Sequence, residues 1–248
     1  MPTERTGRGD PARTVDLLWS GGARPDGRRG PRPRLDVARI VAAAVELADS
    51  ASIAAVTMRR LAGRLDLASP NALYTYVPSK AELLDLVVDA CFATFELAGD
   101  ELPPDIGTRV RAIADANRAL LRRHPWLAEV ATDRPPLGPG QLRKYELELG
   151  ALDGLGLTDQ QMDSTLTLVT TFVRSHVGSL AGAGSDADEA AWWEQAGPAL
   201  ARHADPAAYP LGSRVGSAVG GDQGRAVDPE TAYEFGVERI AAGVAALG

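Results

Sequence analysis

The stretch from Thr57 to Lys80, TMRRLAGRLDLASPNALYTYVPSK, confines what this chain can become more tightly than any other. Thr57 is a helix N-cap residue, and Met58, Leu61, Ala62 and Leu65 recur at the spacing of one helical face. Ser69 caps a second helix, with Pro70 in its first turn, where the missing N–H costs nothing. On that second helix Ala72, Leu73, Tyr76 and Val77 read as inward, and Asn71, Tyr74 and Thr75 as outward. Two short helices at a steep angle, the second with an outward polar and aromatic set, form the pattern that lays a recognition helix in the DNA major groove. A plain helical hairpin shares that periodicity, so the flanks decide. Ser79 to Glu82 is a capping box, and it starts a new helix at once. Leu83, Leu84, Leu86, Val87, Val88, Cys91 and Phe95 give this helix a broad apolar side, with Asp89 on the solvated side.

Residues 36–95 resemble the DNA-binding domain and connecting helix of the tetracycline-repressor (TetR) family, through TMRRLAGRL, ALYTYVPSK and AELLDLVVDA. The string Leu73-Tyr74-x-Tyr76-Val77 is that family's recognition-helix signature. Two departures stand out: LDLASPNALY is one residue longer than the family's connection, and Asp66 sits where the family has Gly. The resemblance implies an all-α protein, with a three-helix helix-turn-helix domain over 35–80 and a larger helical effector-binding and dimerisation domain over 81–248. It implies a homodimeric repressor, a palindromic double-stranded DNA operator and a small-molecule effector, with no cofactor. The DNA-contact candidates are Thr57, Arg59, Ser69, Asn71, Tyr74, Thr75, Tyr76 and Lys80.

Charge agrees with this division. Residues 1–80 carry 13 Lys/Arg against 8 Asp/Glu, and the remainder 13 against 25. A basic N-terminal third on an acidic body fits a nucleic-acid-binding module. No run of eighteen apolar residues predicts a membrane span, and the single cysteine, Cys91, fits a reducing cytoplasm.

Residues 1–34 are rich in Arg, Pro and Gly and read as a flexible basic arm, except that Val15 to Trp19 suits a docked helical turn. Arg28, Arg29, Arg32 and Arg34 are placed to reach phosphates or a minor groove. A first helix follows over about 36–50. Beyond Phe95, helices are expected over about 105–123, 141–152, 158–181, 186–203 (broken near Pro198) and 228–247, with a short apolar one near Trp126. A mobile loop is expected over about 205–227, and no strand is expected.

No catalytic constellation emerges: His124, His176 and His203 are far apart, and no metal-ligand spacing appears. An effector pocket between helices is the better expectation. Its candidates are Asn117, His124, Trp126, Arg134, Tyr145, Thr170, Phe172 and Arg174, with His176 and Trp192 beside them. The family's metal-coordinating His falls near Ala131, so a tetracycline–magnesium inducer is not expected. Two other classes remain open on sequence: a DNA-binding regulator or activator without effector, and a helical enzyme that lost DNA binding.

Overall fold

The computed structural model describes residues 4–20, 35–97, 103, 105–132, 134–181, 186–223 and 228–247, and these fold almost wholly into helices. Asp36 starts the helix that braces the reading domain: its carboxylate accepts the Arg39 N–H at 2.8 Å and begins α2 (Val37–Ser50). Thr57 Oγ1 accepts the Arg60 N–H at 3.2 Å and begins α3 (Met58–Arg64). The helix α3 ends in a Schellman motif, with the Leu67 N–H on the Ala62 carbonyl at 2.9 Å and the Asp66 N–H on the Gly63 carbonyl at 3.3 Å. Asp66 takes the left-handed position of this motif, at φ 54°, which Asp tolerates better than most residues. Ser69 Oγ accepts the Asn71 N–H at 3.2 Å at the start of α4 (Asn71–Tyr74). Ile40, Ala44, Ile53, Val56, Leu61, Leu73 and Val77 form the small core that holds α2, α3 and α4 together. Ala72, expected inward, is exposed, because a four-residue helix turns only Leu73 and then Val77 toward α2 and α3.

Ser79 Oγ accepts the Ala81 N–H at 3.0 Å and opens α5 (Lys80–Phe92) directly after the reading helix. Packing surrounds α5, with α2 on one side, α7 (Pro139–Leu152) on another and α1 (Pro11–Trp19) on a third. Its acids are therefore buried as well as its apolar residues. Asp89, expected on a solvated side, is 5% exposed and accepts the Gly140 and Gln141 N–H groups at 3.1 and 2.8 Å. It caps the start of α7, where Gly138 has no side chain to do so. Gly140 is needed for this contact, because a Cβ there would lie 2.0 Å from the Asp89 carbonyl oxygen.

The rest of the body is built on α6 (Ile106–Arg123), which packs against α7, α8 (Asp159–Ala181) and α11 (Pro229–Ala245). A 3₁₀ turn over Pro125–Glu129 follows α6. The helix α9 (Asp186–Ala201) passes through Pro198 and ends within a turn of it.

Three expectations are corrected. The loop expected over 205–227 is a helix over most of its length, α10 (Pro210–Gln223). Its glycines suggest a loop, but Pro210 starts it well, and Gly212 and Gly216 lie four apart on one stripe with Leu211 and Val215 beside them. The N-terminal segment is not a free arm over residues 4–20. Glu4–Arg5 pair in parallel with Val130–Ala131 as a two-residue strand pair, so one sheet contact exists where none was expected. Then Asp10 caps α1, which docks on α5. The segment gains order from partners about 70 to 130 residues away, which local composition does not reveal. Arg28, Arg29, Arg32 and Arg34 lie outside the described residues.

Candidate nucleic-acid interface and effector site

Leu73 and Val77 are fully buried, and this fixes the roll of α4. It leaves Asn71, Tyr74 and Thr75 in solvent on one surface, with Tyr74 46% exposed. Arg59 and Thr57 are exposed at the start of α3, though the Thr57 hydroxyl is occupied as a cap. Ser69 is exposed and likewise used as a cap, while Tyr76 is half-buried against the core. These residues supply what groove reading needs: a short rigid helix with donors, acceptors and an aromatic edge outward, and cations at its rim. Lys80 differs from its expectation. Its ammonium lies 2.5 Å from the Glu4 carboxylate of the N-terminal strand, so that charge is already partnered.

The expected effector residues do not converge on one pocket. His124 and Trp126 instead join the body to the reading domain: the Asp49 carboxylate of α2 accepts the Trp126 indole N–H at 2.7 Å and lies 2.9 Å from His124 Nδ1. Arg134 is exposed and reaches the N-terminal segment, with its Nη1 3.4 Å from the Gly7 carbonyl. The Tyr145 hydroxyl donates to Asp163 at 2.8 Å across α7 and α8. Thr170 Oγ1 turns back on its own helix to the Leu166 carbonyl. Trp192 is exposed on α9 beside Trp193.

Asn117 and Arg174 do lie in the interior. Asn117 Nδ2 donates to the Glu148 carboxylate at 2.6 Å, and Lys144 Nζ reaches the same oxygen at 2.5 Å. Arg174 Nη1 donates to the Val130 carbonyl at 2.5 Å. The Lys144 ammonium sits over the Phe95 ring at 4.7 Å. Burial holds Lys144 below its ordinary value, although the Glu148 carboxylate opposes this. Burial also lowers the Arg174 guanidinium. Sequence reasoning missed Lys144 and Glu148; their i,i+4 spacing with Leu152 on the same face of α7 was the available signal.

Phe172 and His176 belong to a second group between α6, α8 and α11. Phe172 stacks on Tyr233 at 6.0 Å and His176 lies 5.0 Å from the same ring. The Arg118 guanidinium covers that ring at 3.9 Å and pairs with Glu230. The Tyr233 hydroxyl donates to Asp115 at 2.8 Å, and burial raises its pKa further. Burial, helped by the Arg118 charge, keeps His176 below its usual value. Among the described residues no group of three His, Cys, Asp or Glu is placed to hold a metal, and no helix is long and apolar enough to cross a membrane.

An outward reading helix fused to a buried connecting helix, followed by a helical body with an interior polar cluster, is the arrangement of a helix-turn-helix DNA-binding regulator. Residues 101–247 match the family described as tetracyclin repressor-like, C-terminal domain. The HTH-type transcriptional repressor DrrR1 of Streptomyces coeruleorubidus is 40% identical over 176 residues, covering 69% of this chain and 62% of that protein. The chain thus spans less than two thirds of that relative's length. An HTH-type transcriptional regulator of Saccharopolyspora erythraea is 33% identical over 229 residues, 90% of each protein. The crystal structure of apo ActR from Streptomyces coelicolor is similar at a TM-score of 0.74 and 26% identity, over 88% of this chain and 98% of that one. ActR in complex with actinorhodin gives a TM-score of 0.74 at 27% identity, over 87% and 97%. The chain belongs to the tetracycline-repressor family of transcriptional regulators.

Proposed function

We propose that this protein is a homodimeric cytoplasmic repressor that holds an inverted-repeat operator through α4 and releases it when a small molecule enters the body. The observation that carries this reading is the roll of α4: Leu73 and Val77 are buried, Asn71, Tyr74 and Thr75 face out, and α5 begins almost at once after them. The ActR complex, in which a relative of the same fold holds a small molecule, supports the effector half of the reading. The interior cluster of Asn117, Lys144, Glu148 and Arg174 is the proposed place for it, since apolar walls with a few convergent polar groups suit a ligand between helices. Dimerisation is supported by the trough between α8 and α11, where Leu168 and Leu247 remain about half exposed and Gly243 has open space above it. A two-fold dimer presents two equivalent helices to successive major grooves, hence the inverted repeat. A ligand releases DNA only by binding the non-reading arrangement more tightly, and the coupling is reciprocal.

The test is operator binding by Tyr74→Ala, on DNA selected by the purified protein. Loss of about 1–3 kcal/mol of specific affinity is expected, with little change for unrelated DNA. Equal operator affinity in a folded Tyr74→Ala protein overturns the assignment of α4 as reader.

A further inference from the structure

Lys80 opens α5 just after the reading helix, yet its ammonium is held by Glu4, 76 residues earlier, at 2.5 Å. An exposed Lys–Glu pair is weak when both side chains swing freely, because holding two long chains together costs entropy. The backbone of Glu4 does not swing. Glu4 lies opposite Val130 and Arg5 opposite Ala131 in the strand pair. Thr6 is fully buried, with its N–H on the Ala131 carbonyl at 3.1 Å and its hydroxyl on the Arg134 carbonyl at 2.6 Å. Gly7 then turns at φ 66° and donates its N–H to Asp85 Oδ1 on α5 at 2.9 Å. Gly9 passes so close to α5 that a Cβ there would lie 2.8 Å from the Glu82 carboxyl group. The strand is therefore tied to the body on one side and to the start of α5 on the other.

The acids of α5 itself are engaged elsewhere. Glu82 is buried and accepts from the Ser79 hydroxyl and the Asp10 N–H. Asp85 is buried and accepts the Gly7 N–H. The carboxylate on Lys80 is thus delivered from outside the helix, on a strand whose placement is set by the body. Val130, the strand partner of Glu4, also accepts the Arg174 guanidinium on its carbonyl at 2.5 Å. A carboxylate and a phosphate compete for one ammonium, because both are oxyanions that accept its N–H groups. A cation neutralised within the protein adds nothing to the counterion release that drives phosphate binding.

We propose that Glu4 is an autoinhibitory counter-charge: β1, the strand Glu4–Arg5, holds a carboxylate where a DNA phosphate would bind Lys80, and DNA gains that contact only by displacing it. The inference rests on the reading of α4 and Lys80 as the DNA-binding edge, and it adds a regulation of that edge. Glu4 lowers the part of the affinity that comes from phosphates and leaves the base-edge contacts of Asn71 and Tyr74 untouched.

The experiment uses the full chain and two duplexes of equal length, the selected operator and an unrelated sequence, titrated by fluorescence polarisation over a range of salt. Glu4→Gln keeps the size of the side chain and removes its charge. It is expected to bind both duplexes roughly two- to fivefold more tightly per reading domain, the scale of an exposed ion pair. Its salt dependence should steepen by about one phosphate contact per chain. In a Lys80→Met background Glu4→Gln should change nothing, because the competition has lost its object. Thr6→Val loosens the strand and should act as a weaker Glu4→Gln. Asp16→Asn removes an exposed acid of α1 in the same docked segment and is the control for net charge; it should bind as wild type does. Melting curves check that all variants are folded. Unchanged affinity in Glu4→Gln, an equal gain in the Lys80→Met background, or an equal gain from Asp16→Asn each overturns the proposal. Tyr74→Ala tests α4 on the operator, whereas the Glu4 and Lys80 variants are read on both duplexes, so either reading can fail while the other stands.

Discussion

The reading domain and the connecting helix are neighbours in the chain, yet they are stabilised by different kinds of interaction. The domain over α2 to α4 is settled by contacts between residues two to five apart: Asp36 and Thr57 as caps, the Schellman turn at Asp66, Ser69 at the head of α4. The helix α5 is settled by contacts across 50 to 78 residues: Gly7 on Asp85, Gly140 and Gln141 on Asp89, Arg143 on the carbonyl of Ala93 at its C-cap. In the proposed function the first region reads DNA and must keep its shape alone on one surface, while the second carries position from the body to that surface and must be held from several sides. Buried acids on α5, which an amphipathic wheel would place in solvent, follow from that difference.

The largest expected effect comes from removing a buried charge on α7, the helix that packs against α5. Glu148→Ala leaves the Lys144 ammonium buried without its counter-ion, and both side chains are under 10% exposed. A loss of about 3–5 kcal/mol is expected, read as a fall in the denaturant midpoint. The double change Lys144→Met with Glu148→Leu should recover most of it, since an apolar pair of similar volume avoids the desolvation cost. If the single and double variants unfold alike, the pair does not support the interior of the body.

A steric change at the α5–α7 contact comes next. Gly140→Ala places a methyl where only 2.0 Å is available to the Asp89 carbonyl oxygen. The backbone must shift, and overpacking of this kind costs about 1–3 kcal/mol. Gly150→Ala, on the same helix with open space around it, is the control and should be neutral or mildly stabilising. Chemical denaturation of both separates a crowded glycine from an ordinary helical one.

These two regions also show what was legible in the sequence. The caps, the reading helix and the start of α5 were legible because each depends on residue types at fixed short offsets. The docked turn at Val15 to Trp19 was legible too, and α1 contains it; the Lys80–Glu4 pair, the Asp49 link to His124 and Trp126, and the pairing of residues 4–5 with 130–131 were not, because each joins residues about 75 to 125 apart with no local periodicity. Effector candidates chosen for polarity on helices therefore scattered: Asn117 and Arg174 went inside, Tyr145 to a surface bond and His124 to the domain joint. Helix α10 was missed for the opposite reason, since Gly and Ser composition hid a chain that stays helical with its apolar residues exposed.

Within the locally determined region the expected effect is smaller and opposite in sign. Asp66→Gly removes the Cβ penalty of the left-handed position and should stabilise the protein by up to about 1 kcal/mol. Operator affinity should stay unchanged, because Asp66 sits in the turn and not on the outward face of α4. A melting temperature lower than wild type would show that the Asp66 side chain contributes something that the turn geometry does not.

The smallest effect expected is a pH dependence, and its sign separates the connecting helix α5 from the last helix of the body, α11. Burial raises Asp85, with the Glu82 charge adding to it, and burial likewise raises Asp89. A carboxylate raised in the folded state binds its proton more readily there than in the unfolded chain. Its stabilising contribution is therefore full below the ordinary value of 3.8 and is lost as pH rises through the folded value. Glu230 on α11 behaves oppositely: its hydrogen bond to Arg118 lowers it, so its contribution is present above 4.5 and is lost as pH falls. Asp85→Asn should thus raise the melting temperature at about pH 7 and by less at about pH 4, because protonation of the raised carboxyl progressively removes the buried charge as the pH falls. The Gly7 N–H keeps an acceptor in the amide, so the segment should remain docked. An equal melting-temperature difference at both pH values would mean that the ionised form of Asp85 is no less stable in the fold than in water, and the argument for a desolvated carboxylate on α5 would fail.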